Sequence, residues 1–359
     1  MALEQIISIS VDCIGGDSIK EFGKEISVLE RFAEGIAKAS LKRKHIKINA
    51  VTDNSTKFNY LLSRYPHGEN IEITQIENGS WGRGLKECLN LQLSGKASGS
   101  YSIVNTKYAN LHLRDILPEI SGLERPALLV DKIPTYDSLN SIFNPKKNII
   151  LLDAGATPDP DPYRMIQWAK CASAYASAVK GIKSPAIVLS NIGSEANKGS
   201  SLYAETYKLL VKEHELKTLN FVGNAEKPLQ GRTEEGIPFD IILMDGQAGN
   251  NFIKWSADVL KFGASYIKYL SKISQDPIER IADLYSSKKK KESMKKSNFL
   301  QFGGALFIGV KGVVCKGHGI SNSDTISSGI LWTAECAEKK VVERIVETME
   351  KNYSSEAVS

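Results

Sequence analysis

"NIILLDAGATPDPDPYRMIQWAKCASAYASAVK" occupies residues 148–180, and its reading decides the fold. Ile149, Ile150, Leu151 and Leu152 form a short apolar run that stops at an acid and a glycine, as a buried strand does. Asp161-Pro162 then supplies an N-cap and a first-turn proline, which predicts a helix running to about Lys180. The same alternation repeats along the chain. "IISISVD" (6–12), "IKINAVTD" (46–53), "IEITQI" (71–76), "ALLV" (127–130), "AIVLSNIG" (186–193), "LNFVGN" (219–224), "FDIILMDG" (239–246) and "ALFIGV" (305–310) all read as buried strands. Ile26, Leu29, Phe32, Ala33 and Ile36 mark one face of an intervening helix. Strands alternating with helices predict an α/β protein, a largely parallel sheet with helices on both faces.

The chain has 359 residues, enough for two ordinary domains with substantial cores. At 42% hydrophobic and 24% charged it has a globular composition. A net charge of +5 and a pI near 8.7 suit an acidic partner or an anionic surface. They fall short of the basic stripe that nucleic-acid binding requires, so no nucleic acid is expected. The five cysteines (Cys13, Cys88, Cys171, Cys315, Cys336) are scattered and show no CxxC spacing. They read as reduced, buried thiols of a cytosolic protein, with Cys315 a packed strand residue rather than a nucleophile. "MALEQIISIS" has no basic n-region and the chain no run of 18 apolar residues, so neither a signal peptide nor a membrane span is expected.

Chemistry is signalled by where the glycines fall. "DCIGGD" (12–17), "LDAGATPD" (152–159), "NIGSEANKG" (191–199), "VGNAE" (222–226) and "MDGQAGN" (244–250) each follow an apolar strand directly. In open α/β sheets ligands bind beyond the carboxyl ends of the strands, where loops and helix N-termini present free amides. One such loop is only a turn. Five, together with Lys316 and His318 in "CKGHGISNSD" (315–324), point to a shared anion-binding cleft. No loop completes GxxxxGK[ST] or GxGxxG, and no His, Cys and Asp stand at metal-ligand spacing. Asp159 and Asp161 read as turn and cap residues, and Ser321, His318 and Asp324 are too crowded in sequence for a catalytic triad. A phosphate-sized anion held without metal or cofactor is the expectation.

Taken together these loops resemble a known family, the bacterial phosphate acyltransferases called PlsX. The resemblance is carried in order by "DCIGGD" (12–17), "GLERPAL" (122–128), "LLDAGATPDPDPYRMIQWAKCASAYA" (151–176), "SNIGSEANKG" (190–199), "NFVGNAE" (220–226), "DGQAGN" (245–250) and "VKGVVCKGHG" (310–319). It implies acyl transfer from acyl-acyl-carrier-protein to inorganic phosphate, in a homodimer whose fold is similar to isocitrate and isopropylmalate dehydrogenases. It also implies two domains: residues 1–104 with 300–359, and 105–299 with an amphipathic helical hairpin at about 250–297. Departures are visible. The family's Ser-Ala-Gly-Asn-Thr-Gly-Ala stands here as "SIVNTKYA" (102–109), with Val104 and Lys107 in place of glycines. "KPLQGR" (227–232) replaces a Gly-Arg-Asp, and "KGHGISNSD" (316–324) a Lys-Ala-His-Gly-Ser-Ser run.

Attack by phosphate on a thioester needs a bound, aimed phosphate and donors where the oxyanion develops. Gly15, Gly16 and Gly193, with Asn191 and Asn105, are candidates for the cradle. Lys198 and Lys316 would supply positive charge, and His318 would donate to the oxyanion or to the leaving sulfur. Lys316, His318, Asn191 and Lys198 are thus the expected catalytic set. Asp17, Glu195 and Asp245 would orient these donors, with Thr106, Asn224, Gly246 and Asn250 completing the binding loops. Two rivals stay open: a phosphotransacetylase using acyl-coenzyme A, and a catalytically weakened scaffold that docks carrier protein.

From Phe252 onward, Phe252, Trp255, Val259, Phe262, Tyr266, Leu270 and Ile273 step by three and four along one helix face. Lys254, Lys261, Lys268 and Lys272 stand on another face, and "KKKKESMKK" (288–296), including Lys288 and Lys289, follows. Such a segment suits an anionic membrane surface, an acidic carrier protein or the mate in a dimer. A cytoplasmic, peripherally membrane-associated protein is expected.

Overall fold

The structure is a computed structural model that describes residues 6–21, 24–77, 82–123, 125–133, 135, 148–273 and 304–356. β1 (Ser8–Asp12) pairs in parallel with β4 (Lys47–Thr52) on one side and β6 (Gly99–Ser102) on the other. β5 (Ile71–Gln75) extends this parallel set beyond β4, and β13 (Val314–Lys316) extends it beyond β6. A second parallel set is built by β8 (Ile149–Leu152), β9 (Ala186–Ser190), β10 (Asn220–Ala225) and β11 (Ile241–Leu243). Between the sets lie β7 (Ala127–Ile133) and β12 (Ala305–Ile308), giving one sheet in the order β10-β9-β11-β8-β7-β12-β13-β6-β1-β4-β5. β2 (Ile19–Glu21) and β3 (Lys24–Ile26) form a separate antiparallel pair.

The pairings fix the sense of every strand. β12 is antiparallel to both β13 and β7, and β7 is antiparallel to β8. The two parallel sets therefore run in opposite directions. Four strand-to-strand steps separate β6 from β8. At about 20–25° of twist per step, the opposed directions turn toward a right angle.

Helices cover the sheet as the strand-loop-helix pattern requires. α1 (Val28–Lys42) is capped by Ser27, whose hydroxyl accepts from the Glu30 amide at 3.2 Å. It buries Phe32, Ala33 and Ile36 and packs on α8 (Ser323–Glu338), where Gly35 lies against Ile326. α2 (Ser55–Leu62) and α3 (Arg83–Leu93) flank the same set. α5 (Pro162–Lys180) begins at the predicted cap, the Asp161 carboxylate accepting from the Arg164 amide at 2.9 Å. Trp168 and Tyr175 are fully buried along it, each contributing about 1.5–3 kcal/mol by removal from water. α6 (Ser201–Glu215) packs beside α5. α9 (Val341–Glu356) lies on α5 too, with Lys339 Nζ donating to the Val179 carbonyl at 3.1 Å and Arg344 to that of Ala178 at 3.2 Å. The approach to α9 and its first turn are thus fastened to the end of α5. All five cysteines are buried free thiols, Cys315 within β13.

Candidate active site

Three neighbouring parallel strands, β13, β6 and β1, end side by side, and their loops are stitched together. The Asp12 carboxylate is wholly buried at the end of β1. It accepts from the Ser102 hydroxyl at 2.7 Å, the Ile14 amide at 3.0 Å and the Gly15 amide at 3.3 Å. Burial pushes its carboxyl above the ordinary value, opposed by those three hydrogen bonds and assisted by Asp53 nearby. Ser102 in turn accepts the Val104 amide at 3.0 Å, and its carbonyl accepts Gly317 N–H at 2.8 Å. Gly16 sits at φ +124°, a conformation that L side chains avoid, with Ile103 against its α-carbon.

Helix N-termini converge on this cradle. α4 (Thr106–Ile116) starts at Asn105, whose side chain caps it by accepting the Lys107 amide at 2.9 Å. α8 starts at Asn322, which accepts from the Thr325 amide at 2.9 Å. The first turn of α3 brings Gly84 against the Asp12 carboxylate. Helix N-termini carry partial positive charge and free amides, so three together favour an anion. Arg31, buried on α1, ties the loops by donating to the carbonyls of Asp17, Gly319 and Ser321.

Lys316 ends β13 with its amine on the Gly317 carbonyl at 3.0 Å, and burial lowers its pKa to about 8. His318 is exposed, and its Nδ1 accepts the Ile320 amide at 3.4 Å, which leaves Nε2 as the N–H of the neutral ring. Its flanking glycines are there for close approach between protein groups. A Cβ on Gly317 would strike the Tyr101 hydroxyl, and one on Gly319 would come within 2.7 Å of the Asp17 carboxylate. Gly15, Gly16, Asp17, Asn105, Thr106, Lys316 and His318 therefore form one group.

The other expected residues form a second group beyond β8, β9 and β11. Asp153, buried at the end of β8, accepts four amides: Leu128 at 2.7 Å, Gly155 at 3.0 Å, Ala156 at 2.9 Å and Thr157 at 2.7 Å. Burial nevertheless outweighs these bonds and lifts its pKa to about 6. Asn191 turns its loop by donating to the Lys198 carbonyl at 3.0 Å and accepting the Ile192 amide at 2.8 Å. Gly193 is buried beneath Glu195 and Lys198, whose side chains pair at 3.6 Å. Asn224 holds that loop from β10 through the Glu195 carbonyl at 2.9 Å. Asp245 caps α7 (Gly246–Ile273), accepting the Ala248 amide at 2.8 Å and the Tyr203 hydroxyl at 2.7 Å. Gly246 donates to the Thr157 carbonyl at 3.0 Å, and Asn250 lies against Gly155.

The two groups meet through α4. Asn105 caps it within the first group, and Asn110 donates to the Ala156 carbonyl at 2.8 Å in the second. Five residues of helix rise about 7–8 Å. Of the expected surface contacts, Trp255 and Phe262 are 72% and 70% exposed on α7, forming a stripe with Val259 and Tyr266. The side chains of Lys261 and Lys268, and Lys288 and Lys289 altogether, lie outside the described residues. Among the described residues no cluster of three or more His, Cys, Asp or Glu is placed to hold a metal ion.

A family model for "Fatty acid synthesis protein" matches residues 95–344. A phosphate acyltransferase from Staphylococcus aureus strain MRSA252 is 30% identical over 359 residues, covering 96% of this chain and 98% of its own. That of strain bovine RF122 / ET3-1 is 29% identical over the same shares. The chain belongs to the phosphate acyltransferase (PlsX) family. It is accordingly a transferase enzyme that passes an acyl group to phosphate. Phosphotransacylase structures share the fold. A phosphotransacetylase from Streptococcus pyogenes superposes with a TM-score of 0.55 at 12% identity, over 93% of this chain and 95% of that one. EutD phosphotransacetylase from Staphylococcus aureus gives 0.53 at 13% identity, over 92% and 94%.

Within this phosphate acyltransferase the substituted glycines cost no backbone strain. Among the described non-glycine residues only Lys217 and Lys340 have positive φ, so Val104 and Lys107 sit in ordinary conformations. Val104 is fully buried, its Cβ packed against Gly15. Sequence reading passed over Asp12, Asp153, Arg31 and Asn110, and it kept Ser102 as a retained motif residue without a role. Asp12 and Asp153 carried a signal, an acid directly after an apolar strand and before a glycine; Arg31 and Asn110 carried none.

Proposed function

We propose that this phosphate acyltransferase takes its acyl group from the thioester of acyl-acyl-carrier-protein and releases acyl phosphate for phospholipid synthesis. The observation that carries the reading is the cradle of Asp12, Ser102, Gly15 and Gly16 beside Lys316, under three helix N-termini. Phosphate bound there is the nucleophile. One of its oxygens forms a bond to the thioester carbon, the carbon–sulfur bond breaks, and the sulfur leaves as a thiolate that takes up a proton. A thiol of pKa about 8.5 departs without a strong acid. Lys316 holds the phosphate by charge, and the Nε2–H of His318 serves the oxyanion or the sulfur. In this reading Asn191 and Lys198 add a donor and a positive charge from the second group, with Gly193, Glu195, Asn224, Asp245, Gly246 and Asn250 shaping that wall.

The sheet order supports a discontinuous two-domain division, residues 1–104 with 300–359 and residues 105–299, with the cleft between. The exposed apolar stripe on α7 supports a homodimer contact or peripheral attachment to an anionic membrane, since contiguous apolar surface of this kind marks an interaction site. No described helix is long and apolar enough to cross a membrane. The fold shared with phosphotransacetylases keeps acyl-coenzyme A as a second donor to be tested.

The deciding experiment traps acyl phosphate with hydroxylamine, offering long-chain acyl-carrier protein or acyl-coenzyme A with inorganic phosphate. Phosphate-dependent product is expected with the carrier protein. One oxyanion or anion-binding donor contributes about 3–4 kcal/mol, so Lys316→Ala and His318→Ala should each cost about a hundredfold or more. Product only from acyl-coenzyme A would favour the second donor. No product from either, with carrier protein still bound, would leave a docking scaffold.

A further inference from the structure

Arg31 is 2% exposed on α1, and its guanidinium reaches the loop that carries His318. Nη1 donates to the Gly319 carbonyl at 3.3 Å and to that of Ser321. Nη2 donates to the Gly319 carbonyl at 3.4 Å and to that of Asp17. The same face of α1 holds the segment that follows. Gly35 stands against Ile326 and the Ser323 carbonyl, and Lys38 Nζ donates to the Ser323 hydroxyl at 3.0 Å and to Asp324 at 2.7 Å. Positions 31, 35 and 38 are four and three apart, one stripe of a helix. The loop held in this way is "KGHGISNSD" (316–324), where the chain departs from its family's pattern.

Residues 318–321 close a turn. The Ser321 amide donates to the His318 carbonyl at 2.8 Å, and the His318 amide to the Ser321 hydroxyl at 3.1 Å. The Gly319 carbonyl that Arg31 holds belongs to the same peptide unit as the Ile320 amide, which donates to His318 Nδ1 at 3.4 Å. In a trans peptide the carbonyl and the N–H point in opposite directions. Arg31 on one side and the imidazole on the other therefore fix one peptide plane. The Asp17 amide donates to the same Gly319 oxygen at 3.2 Å. Charge-assisted donation to a carbonyl polarises its peptide and makes the N–H a stronger donor.

We propose that Arg31 is a positioning residue for His318. Acting through the Gly319–Ile320 peptide, it keeps Nδ1 an acceptor and so keeps the ring proton on Nε2. The inference rests on Nε2–H serving the oxyanion or the departing sulfur, and it names the residue that holds that hydrogen in place. Lysine at position 31 would keep the charge and lose the planar fork that spans the carbonyls of Asp17, Gly319 and Ser321.

Nitrogen NMR on the full chain with 15N-labelled histidine reads the tautomer, with His318→Ala assigning the signal. In the neutral ring of the wild type, Nδ1 should be the unprotonated nitrogen. Arg31→Lys should show a mixture of tautomers, lower kcat about tenfold and move KM for phosphate by less than about threefold. Lys38→Met breaks the bonds to Ser323 and Asp324 further along the stripe. It should lower Tm and leave both the tautomer and kcat unchanged. A wild-type ring protonated on Nδ1 overturns the proposal without any variant. So does a wild-type tautomer in Arg31→Lys, a rise in KM for phosphate alone, or a loss of the tautomer in Lys38→Met as full as in Arg31→Lys. Normal kcat in His318→Ala would instead remove the role of Nε2–H in the reaction, while the nitrogen spectra would still judge Arg31.

Discussion

Lys316 shows how one residue carries both a cost and a function. An amine in water titrates near 10.4, whereas burial brings this one to about 8. Between about pH 8 and 10.4 the unfolded chain binds a proton that the folded chain has released, so stability rises with pH across that window. Function runs the other way. Phosphate binding uses the ammonium form, so KM for phosphate should climb as pH rises through about 8. Steady-state kinetics from pH 6.5 to 9.5, a range set about that value, should give this limb in the wild type and lose it in Lys316→Ala. An identical limb in both proteins would assign the titration elsewhere. Asp153 is the mirror case, an acid lifted to about 6 by burial although four amides point at it, and it holds the loop that Asn110 touches.

At the scale of elements, the apolar runs were legible as strands because a strand buried on both faces is β-branched or leucine-rich without alternation. β8 and α5 lie where "NIILLDAGATPDPDPY" predicts them, with Asp161 as the cap. β6 was not legible. Its "GSYS" is polar, yet all four residues are buried. Ser10 and Ser100 face each other at 3.1 Å and Ser100 also donates to the Cys88 carbonyl at 3.2 Å, so the hydroxyls satisfy one another inside the core. Their partners stand 90 and 12 residues away in sequence, out of reach of local pattern. α7 poses the opposite case, an apolar face that was legible but that the fold leaves exposed at Trp255, Val259, Phe262 and Tyr266. Trp255→Ser with Phe262→Ser should lower binding to phosphatidylglycerol vesicles in sedimentation by about tenfold or more, each large apolar side chain being worth about 1.5–3 kcal/mol on burial. Unchanged vesicle binding with a shift from dimer to monomer would give the stripe to the subunit contact.

At the scale of the molecule, one sheet carries both parallel sets, and one apolar cluster joins Ile9 and Ile48 of the first to Ile150, Ile187 and Trp168 of the second. α9, from the end of the chain, is fastened to α5. Thermal unfolding is therefore expected as one cooperative transition, with tryptophan fluorescence and far-ultraviolet dichroism coincident. Two separated transitions would mean that the sets fold independently. The α/β class, the strand-loop-helix grammar and the glycine loops beyond the strands were determined by the sequence alone, because burial and turn chemistry are written in local residue type. Which loops share a site was decided only by the tertiary structure. Strand order and sense place Gly15, Asn105 and Lys316 together and put Gly193 and Asp245 on the other set, and both arise from pairings between residues far apart in the chain.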